Sequence, residues 1–219
     1  MLDGWFVREE EYNPLDYKNL TRNVVEELMR RDPTQLPPLR QFLGAGVYAL
    51  FYTGDLDYYT PIASAGLETP IYVGKAVPAG ARKGISAKQL GRPLLQRLTE
   101  HARSIDAAEQ LSLGDFACRY LVVTPLWITM AERFLIEHYQ PLWNVRMDGF
   151  GNHPPGSGRP AGEVSWWDAL HPGRDWARRL QPTRSREQAV ERVREFFRLR
   201  ETQPEAIARM VQHTLDVGW

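Results

Sequence analysis

The sequence predicts an α+β fold in which three strands are flanked by helices. Three observations carry that expectation. Apolar, tyrosine-bearing runs over about 46–52, 70–74 and 116–123 have the length and composition of strands. Apolar residues recur at helical spacing over about 15–31, 93–105 and 125–139. Pro33, Pro93 and Pro125 stand where a helix stops or starts.

The first helix is read from Leu20, Val24 or Val25, and Leu28, and Asp32-Pro33 ends it. Pro33 to Pro38 is a proline-rich connector. The first two strands follow, separated by a polar, tyrosine-rich insertion, and Lys75 to Gly91 is a Gly/Ala/Lys-rich loop. A helix opens at Pro93, a third strand covers about 116–123, and another helix runs from Pro125 to about Tyr139. Asp148 to Gly162 holds five glycines and three prolines, so a long loop is expected there. A Trp-rich segment (Trp166, Trp167, Trp176) precedes two further helices, about 185–200 and 204–216. These tryptophans are expected mainly in the core, which leaves little weight for an interaction module built on them.

The 219 residues, 43% hydrophobic and 25% charged, describe an ordinary globular chain long enough to bury its own core. Its single cysteine, Cys118, excludes an internal disulfide and a cysteine-ligated zinc site, and reads as a small core residue. No apolar run is long enough to span a bilayer. Met1-Leu2-Asp3-Gly4-Trp5 lacks the pattern of a secretory signal, so a cytoplasmic protein is expected. Basic and acidic residues balance at 27 each, yet seven basic residues against one acid run from Lys75 to Arg103. Nine arginines against four acids follow between His171 and Arg200. A local basic stripe on a neutral protein is compatible with nucleic acid.

Several ionisable residues fall on apolar faces. Gly46-Val47-Tyr48 and Tyr72-Val73-Gly74-Lys75 each place a tyrosine beside a glycine, which admits close approach to the phenol. Two such tyrosines with a lysine suggest a phosphate-handling site. Arg97 and His101, four apart, share the stripe of Leu94, Leu98 and Ile105. Such inward groups cost desolvation unless a partner meets them. Glu132 lies in the stripe of Ile128, Leu135, Ile136 and Tyr139, either salt-bridged to Arg97 or Lys75 or bound to a metal. Arg133 and Glu137 read as solvent residues. Asn144 follows as a turn or cap residue, as a support for the carboxylate, or as a DNA contact.

Taken in order, Gly46-Val47-Tyr48, Tyr72-Val73-Gly74, Arg97, Glu132 and Asn144 resemble the motifs of the GIY-YIG nuclease superfamily, with valine in place of isoleucine in both triplets. His101, the run Tyr72 to Pro78, and Pro141-Leu142-Trp143-Asn144 leading into Asp148 to His153 are similar to the type II restriction endonuclease branch, to a subgroup that cuts CCGCGG. The resemblance implies a small mixed or antiparallel three-stranded sheet flanked by helices, with N- and C-terminal helical elaborations. It implies one elaborated domain over 1–219, with a catalytic core at 42–147 and a 148–219 loop-and-helix region for DNA contact or dimerisation. The implied partners are double-stranded DNA, a second copy in a homodimer, and a cognate DNA methyltransferase.

On that resemblance the candidate catalytic residues are Tyr48, Tyr72, Lys75, Arg97, His101, Glu132 and Asn144. Glu132 is the metal ligand for one Mg²⁺ (Mn²⁺ as a substitute), since this ion keeps several waters and accepts a single carboxylate. Arg97 would hold a non-bridging oxygen, and Tyr72 the same phosphate or a water. Tyr48 is the candidate general base, with Lys75 lowering its pKa or pairing with the phosphate, and His101 either accepting its proton or orienting the phenol. DNA contacts are expected from Arg82, Lys83, Arg92, Arg103, Asn152, His153 and Arg159. The expected activity is site-specific hydrolysis of a short, GC-rich palindrome. The rivals are a repair or structure-specific nuclease and a non-cleaving DNA-binding protein.

Overall fold

The computed structural model describes residues 12–78, 91–152 and 162–217. Four strands, β1 (Thr34–Gln35), β2 (Gly46–Tyr52), β3 (Tyr72–Ala76) and β4 (Phe116–Val122), form one sheet in the order β1-β4-β2-β3. Every pairing is antiparallel. The sheet therefore has four strands where three were expected. The addition, β1, is a two-residue edge strand inside the proline-rich connector. Two residues display no alternation, and prolines are tolerated only at such an edge.

β2 is buried along its whole length because it is central and has helices on both faces. That burial explains its continuous apolar run. Gly46 is required at its start, since a Cβ there would lie 1.9 Å from the Leu121 carbonyl oxygen. β3 begins two residues later than expected, after Pro70.

The helices are α1 (Tyr17–Arg30), α2 (Pro93–Asp106), α3 (Ile128–Tyr139), α4 (Leu142–Val145), α5 (Trp166–Leu170), α6 (Arg186–Thr202) and α7 (Pro204–Val217). α2 starts at its proline as expected. The helix expected from Pro125 opens with one 3-10 turn, Pro125–Trp127, before α3. α1 packs on α3, and α7 packs on α3 and α4. Phe196, Ile207, Val211 and Leu215 thereby join the same core as the strands.

The insertion between β2 and β3 is less polar than it reads. Tyr58, Tyr59, Ile62 and Leu67 are buried. Cys118 is buried beside Thr34, and burial pushes its thiol up to about 11, as suits an inert core residue. Trp143 and Trp167 are core residues, while Trp166 and Trp176 are half-buried under arginines. Among the described residues no helix is long and apolar enough to cross a membrane.

Candidate active site

The register of the sheet brings the two tyrosine triplets together. Tyr48 on β2 sits directly opposite Gly74 on β3, and paired residues share a face. A Cβ on Gly74 would come within 2.4 Å of the Tyr48 hydroxyl, so the glycine makes room for the phenol. Tyr72, two residues before Gly74, projects to the same side. Its ring centroid is 6.2 Å from that of Tyr48.

α2 covers this face. His101 is 1% exposed, and its Nε2 lies 2.6 Å from the Tyr48 hydroxyl. Arg97, one turn earlier on α2, is half-buried. It donates from Nη2 to the Gly151 carbonyl at 2.7 Å and from Nη1 to Glu100 at 2.9 Å. Phe150 closes the cluster: it stacks on His101 at 4.5 Å and meets Tyr72 edge-on at 4.9 Å.

Burial pushes the Tyr48 phenol well above its ordinary value, and the nearby Tyr72 adds to this while Arg97 opposes it. Tyr72 is pushed up to about 12, by burial first, again with Arg97 opposing. Burial works against the Arg97 charge, but the phenols and Glu100 hold its pKa above the usual guanidinium value. The cation acting on Tyr48 is therefore Arg97. The sequence offered Lys75 for that role, or for pairing with the phosphate.

Lys75 follows Gly74 and so emerges on the opposite face of β3. There its ammonium meets Glu132 of α3, with Nζ 2.7 Å from Oε2. The Lys75 backbone N–H also hydrogen-bonds the carboxylate. Of the two partners the sequence left open for Glu132, Lys75 is the one found, and Arg97 pairs with Glu100. Burial raises the Glu132 carboxyl above its ordinary value against the pull of Lys75. β3 is an edge strand, so its two faces meet at its free edge. Across that edge the Glu132 charge reaches both phenols, raising each.

Asn144 covers the same edge. Its Oδ1 accepts from the Val73 N–H and its Nδ2 donates to the Val73 carbonyl, both at 2.8 Å. The side chain thus acts as a one-residue strand. Its contacts are with the backbone between Tyr72 and Gly74; the sequence offered Glu132 as the group it would support.

Arg92, just before α2, and Arg103 on α2 are exposed and line one groove with Gln41, Gln96 and Thr99. Arg103 also lines a second groove of about 380 Å³ with Arg97, His101, Asn152 and Trp176. Arg82, Lys83, His153 and Arg159 lie outside the described residues. A third groove, between β1, β4 and the end of α1, carries none of the site residues. Arg133 and Glu137 are half-buried and paired at 2.9 Å, with the Tyr17 hydroxyl donating to Glu137, so they are not the solvent residues they seemed.

Sequence reasoning missed Phe150 and Gly151 as site residues. An aromatic residue between two glycines was the available signal, hidden inside a loop assigned to DNA reading. It also missed a second buried phenol–imidazole pair. Trp143 Nε1 donates to the Tyr59 hydroxyl at 2.9 Å, and that hydroxyl lies 2.6 Å from His171 Nε2.

The donor set suits a hard cation bound mainly by water. Glu132 offers one half-buried carboxylate that already holds an ammonium, and Mg²⁺ needs only one or two carboxylates. No group of three or more His, Cys, Asp or Glu residues is placed to hold a metal among the described residues. A family model described as the Eco29kI GIY-YIG domain matches residues 40–197, from just before β2 into α6. No match was found among the curated proteins.

Proposed function

Because the chain belongs to the Eco29kI GIY-YIG domain family, a restriction endonuclease family, we propose that it is a type II enzyme hydrolysing both strands of double-stranded DNA at a short, GC-rich palindrome such as CCGCGG. The observation that carries the chemistry is the convergence of buried Tyr48 and His101 with half-buried Tyr72 and Arg97 within reach of the Glu132 charge.

Hydrolysis needs a deprotonated water, neutralised phosphate charge and a stabilised leaving group. In this reading Tyr48 takes the proton of the attacking water as its own phenolic proton passes to His101 Nε2. That relay lets a phenol of high pKa act near neutrality, since the imidazole is the final acceptor. Arg97 turns its guanidinium to a non-bridging phosphate oxygen, and Tyr72 orients the same phosphate. Glu132 would hold a divalent cation, Mg²⁺ or Mn²⁺, which supplies positive charge to the phosphate and to the leaving 3′ oxygen when bound. Lys75 would then release the carboxylate and turn to the phosphate backbone. Asn144 keeps the β3 edge, and with it Tyr72 and Lys75, in place.

Arg92, Arg103 and Asn152, on grooves that open beside Arg97, support a DNA path along α2. Arg82, Lys83, His153 and Arg159 are proposed to complete it. One site per chain and two strands to cut imply a homodimer about a twofold axis, with 148–219 supplying DNA contact or the dimer surface. A cognate DNA methyltransferase and a cytoplasmic setting follow from restriction as a function.

The test is digestion of a plasmid library with Mg²⁺ and mapping of the ends. Discrete fragments with one shared palindrome are expected. Nicks confined to lesions would instead identify a repair nuclease, and binding without any cutting a non-cleaving DNA-binding protein.

A further inference from the structure

The turn that carries Phe150 and Gly151 is held from two sides by two arginines. From one side Arg97 takes the Gly151 carbonyl. From the other side Arg174, which belongs to none of the motifs read from the sequence, takes the two carbonyls just before it. Its Nη1 donates to Phe150 O at 3.2 Å and its Nη2 to Gly149 O at 2.9 Å.

Arg174 is itself deeply set. Its side chain is 4% exposed and that of its partner Asp168 is 2% exposed. Nε and Nη2 donate to the two Asp168 oxygens at 2.7 and 2.6 Å, a bidentate fork. The Ser165 hydroxyl donates to Asp168 as well, at 2.6 Å. The guanidinium is sandwiched between the Trp167 and Trp176 rings at 4.6 and 4.5 Å. Such a buried pair is expensive to assemble and is weak as a source of stability. Its directed donors end on the backbone of one turn. That turn places Phe150 flat on His101 and edge-on to Tyr72, and Gly151 beside the Tyr72 hydroxyl.

We propose that the Arg174–Asp168 pair is a positioning device for the catalytic centre, setting the height of the Gly149–Gly151 turn and through it the orientation of Arg97, His101 and Tyr72. Arg174 touches no reacting atom in this account. It acts through three consecutive carbonyls, two of its own and one held by Arg97. Lysine cannot replace it, because an ammonium lacks the planar fork that serves Asp168 and two carbonyls together. The inference rests on the nuclease reading for its effect on rate, but not for its effect on the turn.

The test uses the full chain carrying Arg174→Lys, with Asp168→Asn as a second variant. Asparagine keeps the size of the side chain and one of the two oxygens that hold Arg174 Nε and Nη2, so the fold survives while the fork is broken. In each variant kcat on the mapped cleavage site is expected to fall about 100-fold with KM little changed, the cost of a small misplacement of reacting groups. The pH dependence of kcat should also shift. Independently of cleavage, the His101 ring protons, shielded by Phe150, should move downfield in the NMR spectrum of both variants.

A purely structural tie would lower the melting temperature and leave kcat per folded molecule, the pH profile and the His101 signals where they were. That result in R174K overturns the proposal. If R174K does not fold, D168N decides by the same readings. A wild-type chain that cuts no DNA sinks the nuclease reading alone, and the His101 signals then decide whether Arg174 sets the turn.

Discussion

The Tyr48 hydroxyl and His101 Nε2 lie 2.6 Å apart in a site from which both side chains are excluded from solvent. On the proposed relay the phenol and the imidazole move one proton together. Tyr48→Phe and His101→Ala should each lower the single-turnover rate by about 10²–10⁴-fold, the usual range for a positioned acid–base group. The double variant should be no slower than the worse single variant, because the relay is already broken. Losses that multiply would contradict a shared role.

Glu132→Gln removes the charge and keeps the shape. Cleavage should become insensitive to added Mg²⁺ and drop at least about 10³-fold, while the DNA dissociation constant, measured without cation, stays within about threefold of wild type. Burial raises the Glu132 carboxyl above its ordinary 4.5, so the proton competes with the cation at a higher pH than for an exposed glutamate. The Mg²⁺ concentration for half-maximal rate should therefore climb as pH falls through that raised value. A flat Mg²⁺ requirement down to pH 4.5 would remove Glu132 as the ligand.

Asn144→Ala uncovers both backbone groups of Val73 at the β3 edge. Two orphaned polar groups cost about 1–3 kcal/mol each when they remain out of water. A clear loss of thermal stability is expected, together with slower cleavage, since Tyr72 precedes the uncovered position and Lys75 follows two residues after it. Asn144→Asp keeps the acceptor for the Val73 N–H and loses the donor, so its melting temperature should fall between those of wild type and Asn144→Ala. Equal melting temperatures for all three would show that the edge needs no cover.

His171 is expected to make the fold sensitive to acid. Burial, with Arg186 nearby, lowers its pKa from 6.5 to about 3, so it is neutral in the folded protein. A depressed folded pKa gives stability that is fully present above the unfolded value near 6.5 and is lost as pH falls toward 3. At about 1.4 kcal/mol per pKa unit, the full effect is on the order of 5 kcal/mol. Urea unfolding of wild type should therefore weaken steeply between pH 6.5 and 3, and His171→Gln should show a shallower slope. Parallel slopes would place the acid-sensitive group elsewhere.

Much of the scaffold was legible in the chain. β2, α2 and α3 lie where the apolar runs and Pro93 and Pro125 put them, because those signals are internal to each element. The inward setting of His101 and Glu132 was legible for the same reason: residues three, four and seven apart share a helical face whatever the helix packs against. β1 escaped because two residues carry no period. Phe150 escaped because its partners, His101 and Tyr72, come from other elements.

By itself, then, the sequence determined which residues turn inward and which element each one rides on. Only the tertiary structure decided who meets whom. It gave Lys75, not Arg97, to Glu132, spent Asn144 on the Val73 backbone, and set Arg174 behind the turn that carries Phe150. The physical reason is that periodicity is a property of one segment. These pairings depend instead on the register of β2 against β3 and on β3 being the open edge of the sheet, where side chains from both faces can reach a common point.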